Sequence, residues 1–243
     1  MTALLRYQAA ILLRSHRWIF PLIGYALLTA AGSAGSTSLA ESLDWTGAML
    51  VPVVAFLTRA MLTAEPDAAR ACVAAAAGPV AGPLRAQLAT LLVPLGGGAV
   101  LGLAAAVFDV LTAQAAATST RPGLPAKVAA AAEHPGIVAA GLLVALVCVL
   151  VGSAAGALCN PPLLRHPAAA MLSTLAAIII ALAADVSPAA AAIGRSTSSA
   201  AGPLAANWPG PGSLIGAACL LAVTWAVSLF AAARRDTWSV SSG

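Results

Sequence analysis

The chain has 243 residues, of which 60% are hydrophobic and 8% are charged, and its formal net charge is +4. A soluble globular domain carries about 25% charged residues, so this composition excludes a water-soluble fold and favours an all-α polytopic integral membrane protein. The connections between its apolar stretches are too short for a second folded domain. We therefore expect residues 1–243 to form a single transmembrane domain.

Apolar stretches long enough to cross a bilayer occur six times along the chain. About 20 mostly apolar residues in a helix span the hydrocarbon core. The predicted crossings are 18–37, 45–62, 86–111, 137–158, 167–185 and 213–233. Glu41 and Asp44 fall in the short connection before the second crossing, and Pro52 predicts a kink within it.

Basic residues are distributed unevenly over the alternate connections. Nine of the twelve fall on one side with three acidic residues, a net charge of +6, and the other three fall on the opposite side with five acidic residues, a net charge of −2. An excess of Lys and Arg marks the cytoplasmic face, which predicts that both termini are cytoplasmic. The positive charge therefore reflects topology and suits anionic lipid headgroups; it does not indicate a nucleic-acid partner.

Residues 2–17 have the pattern of an amphipathic helix lying in the membrane interface. Leu4, Leu5 and Leu12 contribute to an apolar side. The basic side chains of Arg6, Arg14 and Arg17 can reach headgroups. The alternative is a cytoplasmic extension of the first crossing.

Residues 65–78, between the second and third crossings, carry start and stop signals for a short cytoplasmic helix. Pro66 suits the first helical position, while Glu65 and Asp67 complement the positive end of a helix dipole. Asp67 and Arg70 are spaced to pair on one face, and Gly78 ends the helix before a proline. Such a helix is suited to transmitting force to a docked partner; the alternative is a helix that rests on the headgroups.

Small residues at four-residue spacing predict close packing of two crossings. Gly98 and Gly102 form one such pair, and Gly152 and Gly156 form another. These pairs let helices approach closely in lipid. Near the other end of the chain, 186–212 is rich in Ala, Gly, Ser and Pro, and its apolar part, 187–193, could dip into the membrane but is too short to cross it.

The sequence offers no catalytic cluster and no metal site. A nucleotide-binding P-loop needs Gly-Lys followed by Ser or Thr, whereas the single lysine, Lys127, follows an alanine. The three histidines fall in connections, and Asp109 and Asp185 are placed at outer helix ends, so no crossing has a central ionisable group of the kind that ion-coupled carriers use. We therefore expect a non-enzymatic chain whose energy comes from a separate partner.

Two stretches resemble a known family. The run "RYQAAILLRSHRWIFPLIGYALL" and the segment "AEPDAARACVAAAAGP" are similar to actinobacterial ABC-2-type exporter permeases, which have six crossings and no ATPase of their own. The resemblance implies a bacterial cell membrane, a homodimer or paralogous heterodimer of permeases, and a cytoplasmic ATP-binding cassette subunit that holds ATP and Mg. It assigns the coupling helix at 65–78 and the interfacial helix to the ATPase interface, with contact residues Glu65, Asp67, Arg70, Cys72, Val73, Arg6, Arg14 and Arg17.

In this family the second and fifth crossings tend to line the translocation route. In this chain they are mainly apolar, with Thr46, Thr58, Ser173 and Thr174 as the polar exceptions. A hydrophobic or amphipathic cargo, such as a lipid, natural product or drug, fits this lining better than an ion or a sugar. The rival hypothesis is a non-transporting membrane scaffold or immunity protein that binds a cytoplasmic partner; a membrane enzyme would require a catalytic cluster that the sequence does not show.

Overall fold

A computed structural model describes residues 2–35, 39–64, 81–118, 135–159, 166–184, 186–197 and 208–240. Within these ranges the regular secondary structure is helical and includes no strand. The helices are α1 Thr2–Ser15, α2 Ile19–Gly35, α3 Leu39–Ala48, α4 Leu50–Leu62, α5 Ala81–Thr118, α6 Pro135–Leu158, α7 Pro167–Ala183, α8 Pro188–Thr197 and α9 Pro211–Val240. The predicted coupling helix at 65–78 lies outside the described residues.

Five stretches of the described chain are long and apolar enough to cross a membrane, which gives the protein transmembrane character. They are Leu39–Leu62, Leu84–Thr112, Pro135–Leu158, Ala168–Gly194 and Pro211–Ala231. The first combines α3 with α4, and the fourth combines α7 with most of α8. The first predicted crossing, 18–37, corresponds to α2, whose apolar part, Ile19–Gly32, is shorter than these five.

The second predicted crossing, 45–62, begins earlier in the structure than its sequence pattern indicated. Glu41 and Asp44 were expected in a connection, but both lie within α3. A break at Met49 separates α3 from α4. Pro52 explains the break, because its ring clashes with the carbonyl of Ala48 four residues earlier and its nitrogen cannot donate a hydrogen bond to it.

The centre of the bundle is formed by α4 and α6. These two helices make the most extensive contact in the described fold, and α6 also packs on α3, α5 and α9. Their side chains are mostly buried, whereas α2, α5, α7 and α9 turn large apolar side chains outward, among them Phe20, Val100, Leu172 and Val223. Outward apolar faces are what a lipid environment permits and water disfavours.

A tight turn joins α1 to α2. His16 has φ 55°, a left-handed conformation that reverses the chain within a few residues. The Trp18 indole nitrogen donates to the carbonyl of Leu13 at 3.2 Å, and the Ser15 hydroxyl donates to the carbonyl of Leu12 at 2.8 Å. These bonds occupy carbonyls that the end of α1 would otherwise leave without an intrahelical partner, and they fix where α1 stops.

The short helix α8 is integrated into the bundle. It packs on α9, α6, α3 and α7, and Ala189 and Ala192 are almost fully buried within the main apolar core. The sequence indicated an apolar segment at 187–193, and the structure gives that segment a helical conformation.

Candidate functional site

The predicted partner-binding residues that the structure describes lie on α1 and on the turn that follows it. Arg6, Arg14 and Arg17 are exposed, and α1 packs on α5 and α4. One guanidinium nitrogen of Arg17 donates to both the carbonyl and the hydroxyl of Thr63 at 3.4 Å. The α1–α2 turn is thereby tied to the residue two positions before Glu65. We call this region of the bundle, where α4 ends, the Arg17 end.

The other predicted partner contacts are in the segment that follows Thr63. Glu65, Asp67, Arg70, Cys72 and Val73 lie outside the described residues. At the Arg17 end α4 stops at Leu62, and a turn bond 3.2 Å long from Ala64 N to the Met61 carbonyl follows it.

The four predicted substrate-path residues are not gathered around one cavity in the described structure. Thr58 and Thr174 are fully buried, and their hydroxyls donate to carbonyls of their own helices at 2.8 and 2.6 Å. Ser173 is half-buried and bonds to the carbonyl of Ala170 at 3.1 Å. Thr46 lies on α3, in the first half of the span Leu39–Leu62, and is buried beside Asp109. Their part in a translocation path stays a prediction.

Ser173 also borders a thiol at the end of α6. Burial raises the pKa of Cys159, while a hydrogen bond with the Ser173 side chain acts in the opposite direction. Cys148, Cys159 and Cys219 are free thiols. Cys148 is sealed inside the core and Cys219 is exposed on α9, so these cysteines show no shared chemistry.

An apolar groove of about 490 Å³ lies between α5 and α6. Ala99, Gly102 and Leu103 contribute one wall, Leu142 and Leu146 contribute to the other, and the indole of Trp208 closes part of the lining. Its size falls within the range of small-molecule sites. None of the four predicted path residues lines it.

The glycine pairs lie where helices approach each other. A Cβ on Gly152 would lie 2.6 Å from the carbonyl oxygen of Val51, and one on Gly156 would lie 2.7 Å from that of Ala55, so α6 rests directly on the α4 backbone. On α5, a Cβ on Gly98 or Gly102 would meet side chains of α4 and α6, which can move more easily than a helix backbone. Close backbone approach of this kind supplies packing energy where lipid gives no hydrophobic drive.

A buried polar cluster, which sequence reasoning missed, joins α3 to α5. Ser42, Asp44, Thr46 and Asp109 are each at least nine-tenths buried, and we call them the Asp109 cluster. The Ser42 hydroxyl donates to one carboxylate oxygen of Asp109 at 2.9 Å, and the Thr46 hydroxyl lies 3.0 Å from the other. The Tyr25 hydroxyl donates to the Thr46 carbonyl at 3.2 Å, which connects α2 to the same cluster.

The expectation that no crossing has a central ionisable group stays a prediction, because both carboxyl groups of this cluster lie near the ends of their spans. Asp44 lies within the span Leu39–Leu62, and Asp109 lies within Leu84–Thr112. Asp109 is followed by nine further residues of α5, so it does not end its helix. Ionisable side chains inside membrane spans are costly and usually have a function. The sequence signal was a serine and a threonine one helical turn apart, Ser42 and Thr46.

No protein-family model, curated protein or solved structure matches the chain. A functional assignment therefore rests on the physical features described above.

Proposed function

We propose that the chain is the membrane-spanning subunit of an ATP-driven exporter of the ABC-2 type, which works with a separate cytoplasmic ATPase. The observation that carries the proposal is the Arg17 end. There the turn after the basic helix α1 is bonded through Arg17 to Thr63, which precedes the 65–78 segment by two positions. These are the two elements that the sequence resemblance assigns to ATPase binding.

The proposed topology has six crossings with both termini in the cytoplasm of a bacterial cell. Five long apolar stretches support it, and α2 would supply the sixth crossing, since its apolar residues pack on α3 and α4. The exposed arginines of α1 then face the inner leaflet, in agreement with the charge bias. In this arrangement α1 is the interfacial helix and 65–78 is the coupling helix.

The cargo we infer is hydrophobic or amphipathic. The groove between α5 and α6 supports this class, because its lining is almost entirely apolar and lies within two spans. An ion or a sugar would need polar partners that this lining does not provide. A lipophilic compound could reach the groove from the bilayer.

The decisive experiment measures coupling to an ATPase. The full chain carries an affinity tag and is purified from its native membrane; we expect an ATP-binding cassette subunit and ATPase activity to co-purify. Glu65→Arg, Asp67→Arg and Ala69→Pro should each reduce stimulation of ATP hydrolysis by lipophilic compounds while the protein still inserts.

Glu133→Arg is the matched control, because it makes the same charge change in a connection predicted to lie outside. It should leave coupling unchanged. Absence of a co-purifying ATPase would contradict the exporter assignment, and unchanged coupling in all three variants would contradict the role of 65–78. An ATPase that responds to hydrophilic solutes and ignores lipophilic compounds would contradict the inferred cargo.

A further inference from the structure

Acidic and basic side chains occupy different parts of the described structure. The acidic ones lie on α3 and near the far end of α5; they are Glu41, Asp44 and Asp109. The basic ones lie on α1, in the turn after it, near the end of α4 and near the start of α5; they are Arg6, Arg14, Arg17, Arg59 and Arg85. Arg85 and Asp109 are 24 positions apart on α5, which is about 36 Å of helix. That distance exceeds the hydrocarbon core of a bilayer, so the two sets of charges belong to opposite headgroup layers.

The bundle covers the side of α1 that the sequence pattern gave to the membrane. Gln8 is buried, Leu4, Leu5 and Leu12 are only partly exposed, and Leu12 packs on the main apolar core. The helices that α1 contacts are α5 and α4. Because protein already occupies this apolar side, contact of α1 with lipid falls to the opposite face of the helix.

The opposite face of α1 is basic. Arg6 and Arg14 are exposed on it, eight residues and therefore about 12 Å apart along the helix. Tyr7 and Leu13 flank them and are 41% and 62% exposed. Residues 2–17 include no acidic residue, and the carboxylates that the structure describes lie on α3 and near the far end of α5. This surface, which we call the Arg6–Arg14 face, presents two guanidinium groups to an external anion.

The position of the face relative to the apolar spans favours a lipid headgroup as that anion. Arg14 is in the last turn of α1, and Arg17, three positions later, bonds to Thr63, the first residue after the span Leu39–Leu62. Phosphate groups begin where such spans end. A guanidinium group binds phosphate through paired hydrogen bonds. Tyrosine is enriched at this level of a membrane, and an exposed leucine beside basic residues suits the boundary with the acyl chains.

We propose that the Arg6–Arg14 face is a binding site for anionic phospholipids, in which Arg6 and Arg14 each hold a headgroup phosphate. A zwitterionic headgroup carries its own cation and is attracted less strongly than an anionic one. Arg17 has a different task, because its bond to Thr63 holds the turn after α1. The lipid site does not depend on the exporter assignment, since it needs no ATPase and leaves the 65–78 segment for one.

Native mass spectrometry tests the site directly. The full chain in a neutral detergent is titrated with phosphatidylglycerol or with phosphatidylcholine, and the affinities of the first lipids bound are compared. A basic residue near the membrane surface strengthens the binding of anionic lipid by about fivefold. Arg6→Gln and Arg14→Gln should therefore each weaken phosphatidylglycerol binding about fivefold, and the double variant should weaken it about 25-fold. Phosphatidylcholine binding should not change.

Two controls separate this site from a general effect of charge. Arg121→Gln removes the same charge from a connection predicted to lie outside and should leave phosphatidylglycerol binding unchanged. Arg6→Lys and Arg14→Lys keep the charge and should keep most of the affinity. The replaced arginines of α1 are exposed, so the thermal midpoints of their variants in phosphatidylcholine nanodiscs should match that of the wild type.

Equal affinity of the wild type for the two lipids would overturn the proposal, as would a preference for phosphatidylglycerol that survives in the double variant. If the double variant keeps that preference but no longer co-purifies with an ATPase, the face docks a protein, which also overturns the lipid site. Loss of the preference with an ATPase still bound supports it. A wild type that prefers phosphatidylglycerol but binds no ATPase contradicts the exporter assignment alone.

Discussion

The contact between α4 and α6 allows the effect of a single added methyl group to be worked out from the structure. A Cβ at position 152 would meet the Val51 carbonyl oxygen at 2.6 Å and its Cα at 3.1 Å. One at 156 would lie 2.7 Å from both the Ala55 carbonyl oxygen and Thr58 Cβ. Most of these obstructing atoms belong to the α4 backbone, so no side-chain rotation removes the conflict.

Gly152→Ala or Gly156→Ala should therefore push the two central helices apart. Ordinary contacts of a Cβ begin near 3.4 Å, so the separation needed is roughly 0.8 Å, which close-packed neighbours resist. Overpacking of this kind costs about 1–3 kcal/mol, and replacing a helical glycine returns up to about 1 kcal/mol. We expect a net loss of about 1–2 kcal/mol at either site, and less than the sum in the double variant because one separation relieves both conflicts.

The glycines of α5 provide a graded series and a matched control. At Gly98 the obstructing atoms are valine methyls, the nearest of them 2.5 Å away, and at Gly102 the nearest atom is a flexible Leu50 methyl at 3.1 Å. Gly98→Ala should cost less than Gly152→Ala, and Gly102→Ala less again. Gly96 and Gly97 have no atom within 4 Å of an added Cβ, so alanine there should be neutral or stabilising.

The measurement is the free energy of unfolding in mixed micelles, obtained by titration with a denaturing detergent. The expected order of destabilisation runs from Gly152 and Gly156, through Gly98 and Gly102, to Gly96 and Gly97. The reasoning is refuted if Gly152→Ala is no less stable than Gly96→Ala, since the α4–α6 backbone contact would then not limit the packing.

Two further predictions concern the region around α2. The Trp45 indole donates to the Leu28 carbonyl at 2.8 Å and crosses Gly32, where a Cβ would collide with the ring. Trp45→Phe should therefore cost about 1 kcal/mol of unfolding free energy. Gly32→Ala should shift the indole fluorescence, and an unchanged spectrum would contradict this placement. His16→Gly should raise the thermal midpoint, because it relieves a left-handed backbone that costs non-glycine residues about 1–2 kcal/mol. His16→Val should lower the midpoint. A higher midpoint for His16→Val than for His16→Gly would contradict the turn.

Sequence patterns predicted the long apolar helices well because hydrophobic length is a local property. The predicted crossings 86–111, 137–158 and 213–233 fall within two residues of Leu84–Thr112, Pro135–Leu158 and Pro211–Ala231 at each end. Local charge misled the reasoning at the second crossing. Glu41 and Asp44 shifted its predicted start to residue 45, whereas the helical span begins at Leu39.

The residues of the two polar contacts could not be paired from the sequence, because the partners are distant along the chain. Arg17 and Thr63 are 46 positions apart, and Ser42 and Asp109 are 67 apart. A charge near the end of an apolar stretch normally indicates an aqueous boundary, and nothing within one helix shows that another helix supplies hydroxyl donors. A polar residue on each of two crossings becomes informative only when both are known to lie at the same end of the bundle.

The two ends of the bundle thus differ in how their polar contacts are made. At the Arg17 end the contact is exposed and joins a guanidinium group to a threonine at 3.4 Å, so water can replace it at small cost. At the Asp109 cluster the contacts are buried and shorter, so breaking them leaves a polar group in an apolar interior. A force applied at the Arg17 end would be opposed mainly by the α4–α6 contact and by the Asp109 cluster.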